Sequence, residues 1–283
     1  MSIFANQNKK IMKKLTILMV FCLLFAAVGE AFAGRTKHTR RRTKAKTHLV
    51  KKGSKRHLKT KRVIGYVPLE IADTSSVLCE DTCSHVHGID MSHYQGDVFW
   101  ETVSNNTPMA YVYLKATEGG DRIDEKFERN IVMAHVHGLK VGSYHFYRPK
   151  TDQRLQLKNF ISQCIPEEQD LIPMIDIETT NGLPTEDFCD SLLTFLELVE
   201  EAYQQKPLLY TFRNFYNRHL QGKIDGYKLM IAMYTPEEPV LADERDITMW
   251  QYTGKGRIMG VNGYVDKSRF MGDHTLRELR FKH

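Results

Sequence analysis

From residue 87 onward, short apolar runs rich in β-branched and aromatic residues alternate with longer stretches in which apolar residues recur every three or four positions. Residues 87–91 form the first short run. Residues 109–116 (MAYVYLKA) form a second, nearly continuous one, the pattern of a strand buried on both faces. Over 124–137, Phe127, Ile131, Ala134 and Val136 make a helical stripe that Gly138 can end. A strand over 141–147, a helix near 154–164, a strand over 171–177 and a long amphipathic helix over 186–203 follow. Further strands are expected over 208–212, 229–234, 247–252 and 263–266. About eight strands, the first several separated by helices, predict an α/β fold, either a barrel or a doubly wound sheet.

The polar residues that interrupt these runs narrow the chemistry. No Gly-x-Gly-x-x-Gly follows the first strand and no Gly-Lys-Ser/Thr phosphate loop occurs, which disfavours a nucleotide-binding α/β fold. There is no Gly-x-Ser-x-Gly elbow of the serine hydrolases. Acids stand at the strand ends instead: Asp90 after the first, Glu118 past the second, Asp176 and Glu178 at the fourth, Asp266 at the last. In a parallel barrel those ends share one rim, where active sites gather. Asp176 and Glu178 are two apart, which in a strand puts them on one face about 7 Å apart. Both interrupt the apolar run Ile172-Pro-Met-Ile-Asp-Ile-Glu178, where an unpartnered carboxylate is costly. Clustered carboxylates without a metal or a nucleophilic Ser or Cys fit glycoside hydrolysis, in which one acid stays protonated to serve the leaving oxygen. Each acid alone is more ordinarily an ion pair or a helix cap; the set points to catalysis. No cofactor is called for.

Charge divides the chain. The formal sum is +6, yet residues 34–63 hold fourteen Lys/Arg and no acid, and residues 64–283 hold 22 basic against 33 acidic residues. Ahead of the basic stretch, Lys9, Lys10, Lys13 and Lys14 precede an apolar run over 15–28 and then Ala31-Phe32-Ala33, the plan of a secretory signal cleaved near Ala33. The run is too short to span a bilayer comfortably. A secreted, periplasmic or envelope location is therefore expected. Residues 34–63 read as a disordered arm, either a tether to an anionic envelope polymer or nucleic acid, or a solvated linker. Residues 64–84 are a transition segment, and 85–283 form one catalytic domain, expected to be a monomer. Export leaves Cys79, Cys83, Cys164 and Cys189 where pairing is permitted, with three connectivities open. Cys79, Cys83, His85 and His87 invite a zinc reading, but the spacing is loose and a second ligand pair is missing.

At this point six motifs, in order from about residue 87 to 270, resemble one family, the GH25 muramidases or Chalaropsis-type lysozymes. They are His87-Gly-Ile-Asp90-Met-Ser-His-Tyr-Gln-Gly96, Leu114-Lys-Ala-Thr-Glu-Gly119, Gly142-Ser-Tyr-His-Phe-Tyr-Arg-Pro149, Asp176-x-Glu178, Trp250-Gln-Tyr252 and Gly263-Tyr-Val-Asp266-Lys-Ser-Arg-Phe270. The resemblance implies an irregular (β/α) TIM-like barrel. It also implies cleavage of the β-1,4 bond between N-acetylmuramic acid and N-acetylglucosamine in peptidoglycan. Carried over by position, Glu178 is the general acid and Asp176 orients the 2-acetamido group or stabilises the cation it forms. Asp90 and Asp266 complete an acidic floor. Retention assisted by the acetamido group is preferred, with inversion through Asp90 or Asp176 as the other route.

Tyr144, Tyr210, Trp250 and Tyr252 fall on or near strand ends and are expected to bind sugar rings, against ordinary core packing as the bland alternative; Glu118 joins the substrate-binding set. His145, next to Tyr144, should point to the opposite face and stands outside the catalytic set. Two departures are visible. Leu229-Met230-Ile-Ala stands where the family commonly has Leu-Trp-Ile-Ala, suggesting a lost cleft aromatic, and Lys267-Ser268 replaces a more usual Leu-Asn. A chitinase-like hydrolase would need acids at Leu171 and Met174, which are absent. A glycan-binding module without turnover is the non-enzymatic rival.

Overall fold

The computed structural model describes residues 86–106 and 109–283. The expected signal (1–33), basic arm (34–63) and transition segment (64–84), with Cys79, Cys83 and His85, lie outside the described residues.

Eight strands close into a barrel: β1 (His87–Met91), β2 (Tyr111–Glu118), β4 (Lys140–Phe146), β5 (Met174–Asp176), β6 (Leu208–Phe212), β7 (Leu229–Ala232), β8 (Met249–Gly256) and β9 (Val265–Phe270), with β9 pairing back onto β1. A two-residue ribbon, β3 (Arg122–Ile123), flanks β2. Within the barrel every pair from β1 through β8 is parallel, whereas the flanking β3 is antiparallel to β2 and β9 runs antiparallel to both its neighbours. This is the irregular (β/α) barrel the motifs imply, and it excludes the doubly wound sheet. The reversal of β9 matters for the site, because it brings that strand's first residues, not its last, to the rim formed by the C-terminal ends of the others.

Helices α1 (Trp100–Asn106), α2 (Phe127–Val136), α3 (Gln153–Ile161) and α4 (Thr185–Tyr203) connect the early strands, and a short helix α5 (Arg213–Phe215) runs into a π-helical turn, Tyr216–Leu220. In α4 the buried residues Phe188, Leu192, Phe195, Leu196, Val199 and Tyr203 recur at helical spacing and face the sheet. Glu186 and Asp187 suit its first turn, and Gln204, at φ 56°, ends it in the left-handed region. In α2 the stripe is Phe127, Ile131 and Ala134; Val136 is 68% exposed. Nine residues from Phe127 is half a turn off that stripe, so the expectation for Val136 was wrong.

Inside the barrel large and small residues alternate between neighbouring strands. Gly88 stands beside Tyr111 and Gly142 beside Tyr113, each pair in register. A β-carbon on Gly88 would lie 2.1 Å from the Tyr111 ring, and one on Gly142 2.3 Å from that of Tyr113. The ring hydroxyls are satisfied: Tyr111 meets Ser268 Oγ at 3.0 Å and Tyr113 donates to the Ile172 carbonyl at 3.2 Å. Met230 is fully buried on β7, in register with Tyr210. That position packs the core. Cys164 and Cys189 are separate buried thiols, which excludes a bridge between them.

Candidate active site

The rim gathers four carboxylates. Asp90, on β1, lies directly opposite Asp266, on β9, and the two carboxyl groups are in hydrogen-bond contact. Gln251, on β8, holds Asp90 from the other side, with Nε2 at 3.0 and 3.1 Å from its two carboxyl oxygens. The amide is oriented by two tyrosines, since Gln251 Oε1 accepts from the Tyr210 hydroxyl at 2.9 Å and from the Tyr234 hydroxyl at 2.6 Å. Asp176 ends β5, between Phe146 on β4 and Tyr210 on β6. Its Oδ1 is buried without a hydrogen-bond partner among the described residues. Glu178 follows two residues on and is half-buried at the rim.

All four are driven toward the protonated form. Burial raises Asp90 well above the ordinary range, the charge of Asp266 adds to it, and the Gln251 amide offsets only part. Burial also raises Asp176, reinforced by Glu178 and Asp90 and opposed by Lys115. Glu178 rises through burial and the charge of Asp266, against the pull of Lys115 and Arg148. Burial lifts Asp266, partly offset by the hydrogen bond with Asp90. So the cluster retains protons at pH values where free carboxylates have lost them, as a site that donates one requires.

The cations stand on one side of this cluster. A register shift in β2 between Lys115 and Thr117 lets Lys115 and Glu118, three apart, turn to the same side, and they pair at 2.7 Å. Glu118 also takes Arg122 at 2.8 Å and Arg148 at 2.5 Å. Burial pushes Glu118 up, but its hydrogen bonds and ion pairs with Lys115 and Arg148 outweigh that and hold it at about 2. Two cavities of about 480 Å³ each open on the rim either side of β5. One lies at the ends of β6 and β7, lined by Phe212, Asn214, Met233 and Tyr234 among others. The second lies at the ends of β2 and β4, between Glu118, Arg122, Arg148, Thr151 and Asn181.

A sequence model for the glycosyl hydrolases family 25 matches residues 89–261, the span that carries every one of these groups except Asp266. The chain belongs to this family. It is 30% identical to a family 25 glycosyl hydrolase from Bacillus anthracis, over 67% of this chain and 90% of that one, with a TM-score of 0.62. Similarity extends to a bacterial lysozyme from Streptomyces coelicolor (28% identity, 69% of this chain and 95% of that one, TM-score 0.63). It also extends to Lysozyme M1 of Streptomyces globisporus, 28% identical over 203 residues, which are 67% of this chain and 69% of that protein.

In this family 25 hydrolase Asp90, Asp176, Glu178 and Asp266 converge, and so do two of the aromatics singled out in the sequence. Tyr144 on β4 is half-buried, its hydroxyl raised by burial and by the charges of Asp176, Asp90 and Asp266. Tyr210 is buried and is spent on Gln251, so it supports the cluster and presents no open face. Trp250 does not fit the expectation of a sugar platform. It is 5% exposed, donates through Nε1 to the Met233 carbonyl at 2.8 Å and has the Arg269 guanidinium 5.2 Å from its ring. Being next to Gln251 on an extended strand, it takes the opposite face from the residue that reaches Asp90. Tyr252 is half-buried and meets His87 Nδ1 through its hydroxyl at 3.0 Å, so His87 is engaged there. Glu118, expected to bind substrate, is saturated by three cations instead. His145 faces away from the cluster, between Thr117 Oγ1 and Gln156, and burial holds it at about 4. Among the described residues no group of His, Cys, Asp or Glu is arranged to hold a metal ion.

Sequence reasoning missed Gln251, Tyr234, Lys115 and Arg148. A usable signal existed for two of them: Gln251 and Lys115 are polar residues inside otherwise apolar strands.

Proposed function

We propose that this hydrolase is an N-acetylmuramidase, cleaving the β-1,4 bond between N-acetylmuramic acid and N-acetylglucosamine in peptidoglycan. The observation that carries this reading is the pair at the end of β5. Glu178 is accessible and held toward its protonated form, while two residues away Asp176 keeps a buried oxygen without a partner among the described residues. Glu178 protonates the glycosidic oxygen as the bond from C1 to that oxygen breaks. The carbonyl oxygen of the 2-acetamido group closes on C1, giving a cyclic oxazolinium, and Asp176 accepts the hydrogen bond of the acetamido N–H as positive charge grows there. Water then gives a proton to the Glu178 carboxylate and attacks C1, opening the ring with retained configuration. Asp90 and Asp266 hold one shared proton behind this pair and keep the site electrostatically poised. Tyr144 is placed to bond a sugar hydroxyl.

Two of the similar proteins carry the name lysozyme, which supports the choice of substrate. The test is the chemistry of the new chain ends. Digested peptidoglycan reduced with borohydride should yield muramitol ends in proportion to turbidity loss; glucosaminitol ends would refute the bond assignment.

A further inference from the structure

The cavity at the ends of β2 and β4 has a composition that proton donation does not need. Two guanidiniums line it, Arg122 and Arg148, and both meet Glu118, which the buried Lys115 holds from behind. Against them stand two carboxylates, Glu118 and Asp121. Glu118 is fully engaged, whereas the guanidiniums are not. Arg122 uses only Nη1 and Arg148 only Nε and Nη2 on Glu118, so Arg122 Nε and Nη2 and Arg148 Nη1 make no hydrogen bond among the described residues. The Arg122 side chain is 72% exposed and that of Arg148 38%. Glu118 thus fixes two guanidinium forks whose remaining N–H edges stay available, the geometry that receives a carboxylate.

The cavity adjoins the acid strand. The Tyr147 N–H donates to the Asp176 carbonyl at 3.0 Å, and Arg148 is the next residue. At Gly119, φ is +55° and a β-carbon would sit 3.3 Å from Arg148 Cγ, so this glycine leaves the arginine stem its path along the wall. Thr151 supplies a hydroxyl and Leu155, 53% exposed, an apolar wall. A substrate with anionic substituents approaching a rim of four carboxylates needs opposite charge nearby, and this cavity presents two guanidiniums fixed by one shared carboxylate.

We propose that this cavity is a carboxylate-binding subsite for the acidic substituent of the glycan, resting on the muramidase reading for the identity of that substituent. In that substrate the carboxylate is the free lactyl group of muramic acid or, where the lactyl group is amide-linked, an acid of the attached peptide. Arg122 and Arg148 bind it, and Glu118 acts through them as a positioning residue.

The experiment uses three soluble glycan strands: with peptide, stripped to the lactyl carboxylate, and stripped with that carboxylate converted to its methylamide. Wild-type protein should show a KM about tenfold higher on the methylamide than on the better of the two anionic strands, and which strand that is identifies the source of the carboxylate. Arg122→Gln should reduce the ratio to about twofold, chiefly through KM, and Arg122→Lys should recover part of it. Equal KM values on all three strands, or an unchanged ratio in Arg122→Gln, would overturn the proposal. If no strand is cleaved the muramidase reading fails by itself, and calorimetry then decides the subsite. Tighter binding of N-acetylmuramic acid than of its methylamide, lost in Arg122→Gln, supports it; equal binding refutes it.

Discussion

Asp90 and Asp266 face each other across the one antiparallel seam that closes the barrel onto its first strand, and one carboxyl donates a hydrogen bond to the other. Two acids in such contact hold a proton between them. Their combined charge is therefore smaller than a count of carboxylates suggests. The fraction that remains on Asp266 bears on Glu178.

Opposite shifts of the pH–activity profile follow. After burial, Asp266 is what keeps the Glu178 proton in place, so Asp266→Asn should move the alkaline limb of activity to lower pH. Lys115 opposes protonation of both Glu178 and Asp176, so Lys115→Met should move the same limb to higher pH. Profiles of kcat/KM for the two variants and the wild type check the sign; both shifts in one direction would contradict this electrostatic account.

Asp176 should cost the fold stability near neutrality. Its folded pKa lies above the value of about 3.9 expected for the unfolded chain. Between those two values the native state keeps a proton that the unfolded state has lost, so stability falls as pH rises through that window. Asp176→Asn removes the group and should raise Tm at pH 7, by roughly 2–4 °C for each kcal/mol gained. The gain should vanish below about pH 4, where the acid is protonated in both states. Melting curves at the two pH values measure it, and an equal gain at both would point to packing and not to charge.

Gln251 joins Tyr210, Tyr234 and Asp90 in one buried network. Gln251→Leu strands two hydroxyls and a carboxyl at once and should cost about 2–4 kcal/mol, beyond the loss from either Tyr→Phe change alone. Denaturant unfolding of the single and double variants gives the coupling; additive losses would mean the three side chains act independently.

Gly88→Ala and Gly142→Ala test the interior packing. Each new methyl group meets a buried tyrosine ring, at 2.1 Å and 2.3 Å before relaxation, and the rings are pinned by hydrogen bonds at their far ends. Losses of about 1–3 kcal/mol or more are expected, read as a lower Tm. Little change at either position would mean that the rings move freely.

Much of the barrel was legible because it rests on local pattern. β1 and β6 fall on the expected 87–91 and 208–212, and α4 within one residue of 186–203. The expected run over 171–177 contracts to Met174–Asp176, because only its end pairs with β4 and β6. The last strand begins at Val265 and extends to Phe270, past the expected 263–266, since its antiparallel pairing with the distant β1 and with the preceding β8 runs on to Arg269 and Phe270. The short helix α1 and the π-turn after α5 were missed; too few residues repeat in either for a periodic signal. In the site, Asp90, Asp176, Glu178 and Asp266 were readable as acids at strand ends. The burial of Trp250 against Arg269, the saturation of Glu118 and the role of Tyr234 depend on contacts between strands that no single run of sequence encodes.

The central claim is that Glu178 donates the proton that releases the leaving sugar. It is tested most directly by comparing Glu178→Gln on two substrates, the natural glycan and a glycoside whose aryl leaving group departs without protonation. The account predicts a loss of at least about 10²–10⁴-fold on the glycan, with the bond-breaking step on the aryl substrate largely preserved. An equal loss on both substrates, or undiminished activity on the glycan, would contradict it.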